Sequence, residues 1–480
     1  MRKTKIVCTL GPATNSEQMI TRLIKAGMNV ARLNFSHGTH DEHRAMIQVI
    51  RKVSARMNKT IPILQDLQGP KLRVGKFKNG SVKLKKGNII TITTEDVLGD
   101  EKIISTTYPY LSKDVKLGDT ILLDDGLIQL KVTAKKSNSV QCKIIEGGSL
   151  SDHKGLNLPG VFISQPSFTE KDCDDLLFGI DQGVEMVAMS FVRSSDDISK
   201  VKEIIAEKNK EIMVIAKLEK PEAIKHLEAI IDISDGVMVA RGDLGVELPL
   251  QKVPLLQKKI IHAAMQKGKP VITATQMLES MRQNSRPTRA EVSDVANAIF
   301  DGTDAVMLSA ETATGNYPIA TVRTMARIIT EAEQASEYQL AQHLSPVEKT
   351  LSIADAISHS ASEAAEYLKV KAIVAFTKSG FTARMVAKYR PCCRIIAFSP
   401  SEIVQHQLNL TWGICPLKMD FLNSTDEIIS QTEKILLEKK FIKRGDIIII
   451  LLGAPVFIKG TTNLMKLHVV GSGNRKETKL

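Results

Sequence analysis

From the N-terminus to residue 309, short apolar runs rich in Val and Ile recur at 5–10, 29–33, 61–66, 185–191, 212–218, 236–240, 270–275 and 305–309. Most are followed by a turn and then by apolar positions at helical spacing, as at 16–26, 40–57, 196–209 and 250–267. A continuous apolar run bounded by turns reads as a strand covered on both faces. Helices between such strands make the sheet parallel. Eight strand–helix units predict an α/β fold, a (β/α)₈ TIM barrel of ~250 residues, with a doubly wound open sheet as the competing arrangement.

Two other textures interrupt or follow this series. Between the third and fourth runs the pattern alternates, with strands expected at 81–84, 88–94, 120–123, 127–133 and 139–145 and Gly-marked turns between them. That is a small all-β domain inserted in a barrel loop. After a long helix over 317–337 and a polar join at 340–350, a new strand–helix series begins. Helices are expected at 353–368, 382–389, 401–410 and 425–440, and strands at 371–376, 394–398, 413–416, 446–452 and 467–470. The expected division is a barrel at 1–70 and 167–340, a β-rich lid at 71–166, and a C-terminal open-sheet α/β domain at 341–480.

A chain of 480 residues exceeds what one core supports, which agrees with several domains. Its 43% hydrophobic and 25% charged residues are ordinary for a folded soluble protein. The net charge of +12 poses nucleic acid against anionic small molecules as the partner. Aromatics at 4%, with one Trp, supply few platforms for base stacking, and the basic residues are scattered, so no nucleic acid is expected. The six Cys form no C-x-x-C pair, so reduced thiols in a cytoplasmic protein are expected. Cys392-Cys393 reads as packed thiols and Trp412 as packing within the tail domain. The greasiest run, 447–458, is shorter than the roughly 20 residues a bilayer span needs, and Gly453 and Pro455 break it. No membrane association is expected.

In a barrel of this kind the chemistry gathers at the C-terminal strand ends. Here those ends are polar: Arg32-Leu33-Asn34-Phe35-Ser36-His37 after the second strand, Gln65-Asp66 after the third, Lys217-Leu218-Glu219 after the fifth, Arg241-Gly242-Asp243 after the sixth, and Thr275-Gln276 after the seventh. Side chains two apart on a strand share a face, so Arg32, Asn34 and Ser36 can point together, as can Lys217 with Glu219 and Arg241 with Asp243. Burying such charges costs several kcal/mol unless each is paired or ligates something. Converging carboxylates suit Mg²⁺, which keeps few protein ligands and takes substrate oxygens; a structural salt-bridge ring is the alternative. Arg32, Arg73 and Lys217 read as a clamp for an anion, and metal plus cations around a phosphate is the arrangement for phosphoryl transfer. No P-loop and no protein-kinase glycine loop is present.

The segments 31–38, Lys217-Leu218-Glu219, Val239-Ala240-Arg241-Gly242-Asp243-Leu244-Gly245, Ala274-Thr275-Gln276-Met277-Leu278-Glu279 and Pro287-Thr288-Arg289-Ala290-Glu291-Val292 resemble pyruvate kinases nearly end to end. The resemblance implies transfer of phosphate from phosphoenolpyruvate to ADP, the last step of glycolysis, with Mg²⁺ or Mn²⁺ on Glu219 and Asp243. It implies catalytic roles for Lys217, Thr275 and Arg32, and a phosphoenolpyruvate site of Arg32, Gly242, Asp243 and Thr275. Asn34, Ser36, His37, Arg73 and Lys154 would face the nucleotide, with Lys154 carried on the lid. A homotetramer is also implied. The competing readings are a Mg²⁺-dependent lyase or aldolase barrel, which would lack the insert, and a basic nucleic-acid binder.

Two departures from the family pattern carry expectations. Many pyruvate kinases have Thr and Glu where this chain has Leu67 and Lys71, and that Glu accompanies a required K⁺ near Asn34, Ser36 and Asp66. An ammonium from Lys71 would supply fixed charge in its place, so K⁺ is expected not to be required; a Lys71 turned to solvent is the alternative. In the tail, Thr377-Lys378-Ser379-Gly380-Phe381-Thr382 precedes a helix, as a phosphate cradle or as a plain cap. The family binds a sugar-phosphate activator on that loop. The turn at 453–456 lacks the Trp and Arg used there for fructose 1,6-bisphosphate. A monophosphate activator, a sugar monophosphate or AMP, is therefore expected.

Overall fold

A computed structural model of the protein describes residues 2–335, 352–420, 424–453 and 462–472. Eight parallel strands close into a barrel. In chain order they are Lys5–Thr9, Val30–Asn34, Ile63–Asp66, Met186–Met189, Met213–Leu218, Gly236–Ala240, Val271–Ala274 and Ala305–Leu308. The first strand closes the ring by pairing with both the second and the eighth, in registers Val7↔Val30 and Lys5↔Ala305. Every strand is almost wholly buried, which is why the sequence reads as unbroken apolar runs there.

The barrel interior is filled by Val7, Val30, Leu64, Met186, Ala188, Met213, Ile215, Met238, Ile272 and Met307. Small and flexible side chains alternate here, and methionine fills the irregular gaps. Alternate residues on the same strands face outward into a second, larger core beneath the helices. The helices start at well-made caps. Thr39, Thr169 and Thr288 each accept from the third helical N–H, and the carboxylate at that position returns the bond.

The insert leaves after the third strand and returns before the helix Glu170–Asp181. It builds a two-stranded sheet of Ser81–Leu84 with Gly148–Ser151, and a six-stranded sheet ordered Leu156–Asn157, Thr120–Leu123, Ile128–Lys135, Ser139–Glu146, Ile89–Thr93, Ile103–Ser105. It has its own core of Ile90, Ile92, Ile104, Ile121, Leu130 and Val140. Sequence patterning missed the strands 103–105, 148–151 and 156–157, the first and last too short to show a period and the second, Gly148-Ser149-Leu150-Ser151, holding a single apolar residue.

The tail carries a five-stranded sheet ordered Ile414–Lys418, Arg394–Ser399, Ala372–Phe376, Ile447–Leu452, Leu464–Val469. Only the last strand is antiparallel, and it begins three residues earlier than the sequence suggests. The expected join at 340–350 lies outside the described residues. Trp412 is a correction to the sequence reading. It is buried at the seam between tail and barrel, its backbone N–H donates to Asp304 Oδ1, and Arg390 lies over its ring while pairing with Asp304 at 3.0 Å. No helix among the described residues is long and apolar enough to cross a membrane.

Candidate active site

The C-terminal rim of the barrel holds a continuous chain of buried charges. Asp66, at the end of the third strand and 1% exposed, accepts from Arg32 Nε at 2.6 Å and lies 3.1 Å from Lys217 Nζ. Lys217 in turn lies 2.9 Å from Glu219 Oε1 and donates to Ser190 Oγ at 2.6 Å. Arg32 also donates through Nη1 to Thr9 Oγ1 at 2.8 Å. Glu219 is 1% exposed, and its Oε2 accepts from the Phe191 N–H at 2.8 Å. The strand periodicity that aligned Lys217 with Glu219 is realised as a direct ion pair.

Electrostatics follow from this packing. Burial by itself would lower the Lys217 pKa, yet Asp66, Glu219 and Asp243 surround the ammonium and raise it. Burial would raise Asp66, but Arg32 and Lys217 outweigh it and hold the carboxyl below its ordinary range. Glu219 is raised: burial leads, and the like charge of Asp243 adds to it against the pull of Lys217. Asp243 makes no hydrogen bond or ion pair among the described residues. Two carboxylates that repel one another, one of them unpartnered, fit a divalent cation that keeps few protein ligands. No cluster of three or more His, Cys, Asp or Glu capable of holding a metal exists among the described residues.

Arg241 departs from the sequence expectation. The chain enters a helix at Arg241–Glu247 instead of extending the strand, so Arg241 and Asp243 do not share a face. Arg241 turns away to pair with Asp294 at 2.7 Å and to donate to the Thr275 carbonyl at 2.7 Å. Gly242 N–H donates to Thr275 Oγ1 at 2.8 Å, and that hydroxyl donates to the Ala274 carbonyl at 2.6 Å. Thr275 has φ +68 and Gln276 φ +53. A β-branched residue in the left-handed region stores about 1–3 kcal/mol of strain, and such strain clusters at functional sites.

The other residues singled out by sequence fall into two groups. Asn34 ends the second strand and accepts from the Ser36 N–H at 3.2 Å, so Ser36 sits in the following turn, beyond the strand. His37 follows; burial lowers its pKa, and the charges of Arg73, Lys71 and Arg32 lower it further. Asn34 and His37 line an open cleft with Leu10, Pro12, His43 and Met46. Leu67 buries its side chain in the apolar core, and only its carbonyl reaches the rim, accepting from Ser190 Oγ at 2.6 Å. Arg73 donates to the His153 carbonyl at 2.9 Å, and Lys154 pairs with Asp124 at 2.8 Å, both within the insert. Lys71 is exposed and makes no ion pair among the described residues. With Asp243 and Asp125 it lines a second, narrow cleft between the insert and the barrel rim.

The tail loop stands apart from this cluster. Thr382 shares a hydrogen bond of 2.7 Å with Thr462, Lys378 is exposed, and Gly380 adopts φ +80, a backbone conformation that favours glycine. No side chain caps the helix Phe381–Lys388. In the late turn at 453–456, residues 454–456 lie outside the described residues. Sequence reasoning missed Ser190, Phe191, Thr9 and Asp294. Thr9, Ser190 and Phe191 lie inside apolar runs and Asp294 within a helix, none with a spacing signal of its own.

Two family models match the chain: "Pyruvate kinase, barrel domain" over residues 1–322 and "Pyruvate kinase, alpha/beta domain" over 355–468. A curated pyruvate kinase of Sporosarcina psychrophila is 49% identical over 474 residues, covering 98% of this chain and 81% of the relative. One from Staphylococcus saprophyticus is 50% identical over 476 residues with the same coverage. A crystal structure of a pyruvate kinase from Cryptosporidium parvum superposes with a TM-score of 0.91 at 37% identity, covering 98% of this chain and 96% of that one.

Proposed function

The chain belongs to the pyruvate kinase family and is a phosphotransferase, and from that premise we propose how its own residues move the phosphoryl group of phosphoenolpyruvate to ADP. The observation that carries the proposal is Lys217, a buried ammonium held between Asp66 and Glu219 with the Asp243 charge beside it. The pKa of Lys217 is raised, so it stays charged at any working pH and offers fixed positive charge to a phosphoryl group in transit. Arg32 spends Nε on Asp66 and Nη1 on Thr9, which leaves Nη2 to bind the substrate's phosphate or carboxylate.

Glu219 and Asp243 would hold Mg²⁺, or Mn²⁺ in its place. When bound, the ion neutralises charge on the phosphoryl and enolate oxygens. Gly242 and Asp243, at the head of a short helix, and Thr275 orient phosphoenolpyruvate. The Thr275 hydroxyl already donates to Ala274 and accepts from Gly242, so its part is to orient a water that delivers the proton to the enolate carbon.

The apolar cleft lined by Leu10, Pro12, His43 and Met46 suits a nucleotide base, with Asn34 and His37 at its polar end and Ser36 in the turn between them. Arg73 and Lys154 approach from the insert. For Lys154 to reach a phosphate it exchanges Asp124 for the ligand. The insert then acts as a lid that excludes water from the transferring group.

Lys71 puts positive charge near His37, which supports turnover without K⁺. The 377–382 loop supports a monophosphate activator, because Lys378 and the free helix start lie together there. A homotetramer in the cytoplasm completes the reading. The test is steady-state pyruvate formation from phosphoenolpyruvate in sodium buffer with Mg²⁺, with and without ADP, K⁺ and a panel of mono- and bisphosphates. We expect strict ADP dependence, no K⁺ requirement and activation by monophosphates. Pyruvate release independent of ADP would mean that water takes the phosphoryl group and would overturn transfer, and no pyruvate even with ADP would favour a lyase or aldolase. A rate that collapses until K⁺ is added, or a response to fructose 1,6-bisphosphate alone, would overturn the finer assignments.

A further inference from the structure

Next to Glu219 sits a second buried ion pair that the reaction as described does not use. Lys220 Nζ lies 2.5 Å from Glu247 Oε1, with side chains 11% and 2% exposed. The same Glu247 oxygen accepts from Asn157 Nδ2 at 3.2 Å, and Asn157 belongs to a strand of the insert. One carboxylate thus joins a barrel loop to the lid.

The ammonium also lies 5.5 Å from the centroid of the Phe191 ring. On its way the chain leaves the third barrel strand toward the insert at Gly69, with φ +67, and that backbone packs on Phe191 so tightly that a Cβ there would sit 2.6 Å from Phe191 Cδ2. Phe191 itself has φ +55, a strained backbone for an aromatic residue, and its N–H is the donor that holds Glu219 Oε2 at 2.8 Å. The exit point of the lid and the ammonium both bear on the residue that orients the carboxylate.

We propose that Asn157, Glu247 and Lys220 form a latch that reports lid position to Glu219. When the lid is closed, Asn157 helps fix Glu247. Glu247 fixes the Lys220 ammonium over Phe191, and Phe191 holds the Glu219 carboxylate in its ligating orientation. Lys220 and Glu247 are therefore positioning residues for metal binding. The inference rests on the reading of Glu219 as a metal ligand.

The test uses the full chain and Mn²⁺ as the probe, with binding followed by electron paramagnetic resonance in the presence of phosphoenolpyruvate. Asn157→Ala and Lys220→Met are each expected to weaken Mn²⁺ binding by about fivefold, the worth of one hydrogen bond. The double variant is expected to bind no more weakly than Lys220→Met alone, because both act through one path. Asn157→Asp, which sets like charge against Glu247 and leaves the barrel intact, is expected to exceed Asn157→Ala, so a misfolded Lys220→Met would not remove the test. Amide exchange across 155–165 is expected to slow on adding ligand in the wild type and not in Asn157→Ala. Mn²⁺ binding unchanged in both Asn157 variants, or effects that multiply in the double variant, would overturn the latch. Glu219→Gln separates the two readings: if it abolishes binding while the Asn157 variants do not weaken it, the latch alone fails, and if it leaves binding intact, the metal assignment fails as well.

Discussion

The barrel rim and the tail loop at 377–382 both present polar residues where a phosphate could sit, yet they differ in how their polar groups are satisfied. At the rim, Arg32, Asp66, Lys217 and Glu219 form one buried chain of alternating charge, and Asp243 is left without a hydrogen bond or ion pair among the described residues. In the tail, Thr382 is closed by Thr462, Arg384 donates to the Ser379 carbonyl, and the one cation on the loop, Lys378, is exposed. Isolated helices begin in the same way without binding anything. The difference teaches that burial, with one charge left over, marks a site built for a ligand, whereas a helix start marks only an opportunity.

The largest expected effect breaks the rim. Lys217→Met removes the cation at the centre of the chain and leaves Asp66 and Glu219 without it. We expect kcat to fall by roughly 10³-fold, measured by coupled pyruvate release, since the charge acts on the transferring group itself. Next is Asp66→Asn, which takes from buried Arg32 its ion-pair partner and leaves Lys217 with Glu219 alone, and is expected to cost about 3 kcal/mol in urea unfolding at pH 7.

The same variant carries a pH test. The folded-state pKa of Asp66 lies below its ordinary value, so ionised Asp66 contributes stability that is present above that value and lost as pH falls through the lowered one. Below pH about 3.9 the urea midpoint of the wild type should therefore fall toward that of Asp66→Asn, narrowing the gap between them. A gap that stays constant from pH 6 to pH 3 would show that the Asp66 charge contributes nothing.

A smaller effect is expected at Lys71. Lys71→Glu reverses the charge near His37. In sodium buffer the rate should drop by about tenfold and recover with K⁺, in line with one exposed charge–charge interaction near the site. The smallest belongs to the tail: Lys378→Ala should raise the half-saturating concentration of a monophosphate activator by about fivefold, the worth of one charge-assisted hydrogen bond to an exposed partner. An unaltered response would return the loop to the status of a helix start.

The eight-stranded barrel was legible because strands covered on both faces cannot hide their apolar runs. Lys217 and Glu219 were legible for a related reason: a period of two persists to the strand end and brings them to one face. The same rule failed one strand later, because a helix starts at Arg241 and turns its side chain toward Asp294 while Asp243 stays at the rim. Lys220 was illegible. Before Pro221 it looks like any solvated lysine, and only the closed ring of strands and the overhanging insert bury it against Glu247. Trp412 reads as packing within its own domain until the tail is seated on Asp304. What sequence could not supply was the meeting of segments far apart in the chain.

Phosphorus NMR of phosphoenolpyruvate and ADP, mixed with Mg²⁺ and followed in parallel for the wild type and Lys217→Met, tests the central claim most directly. The phosphoenolpyruvate signal is expected to pass into the γ-phosphate of ATP with the wild type, and roughly 10³-fold more slowly with the variant. Signal passing instead to inorganic phosphate, or equal rates for the two proteins, would contradict it.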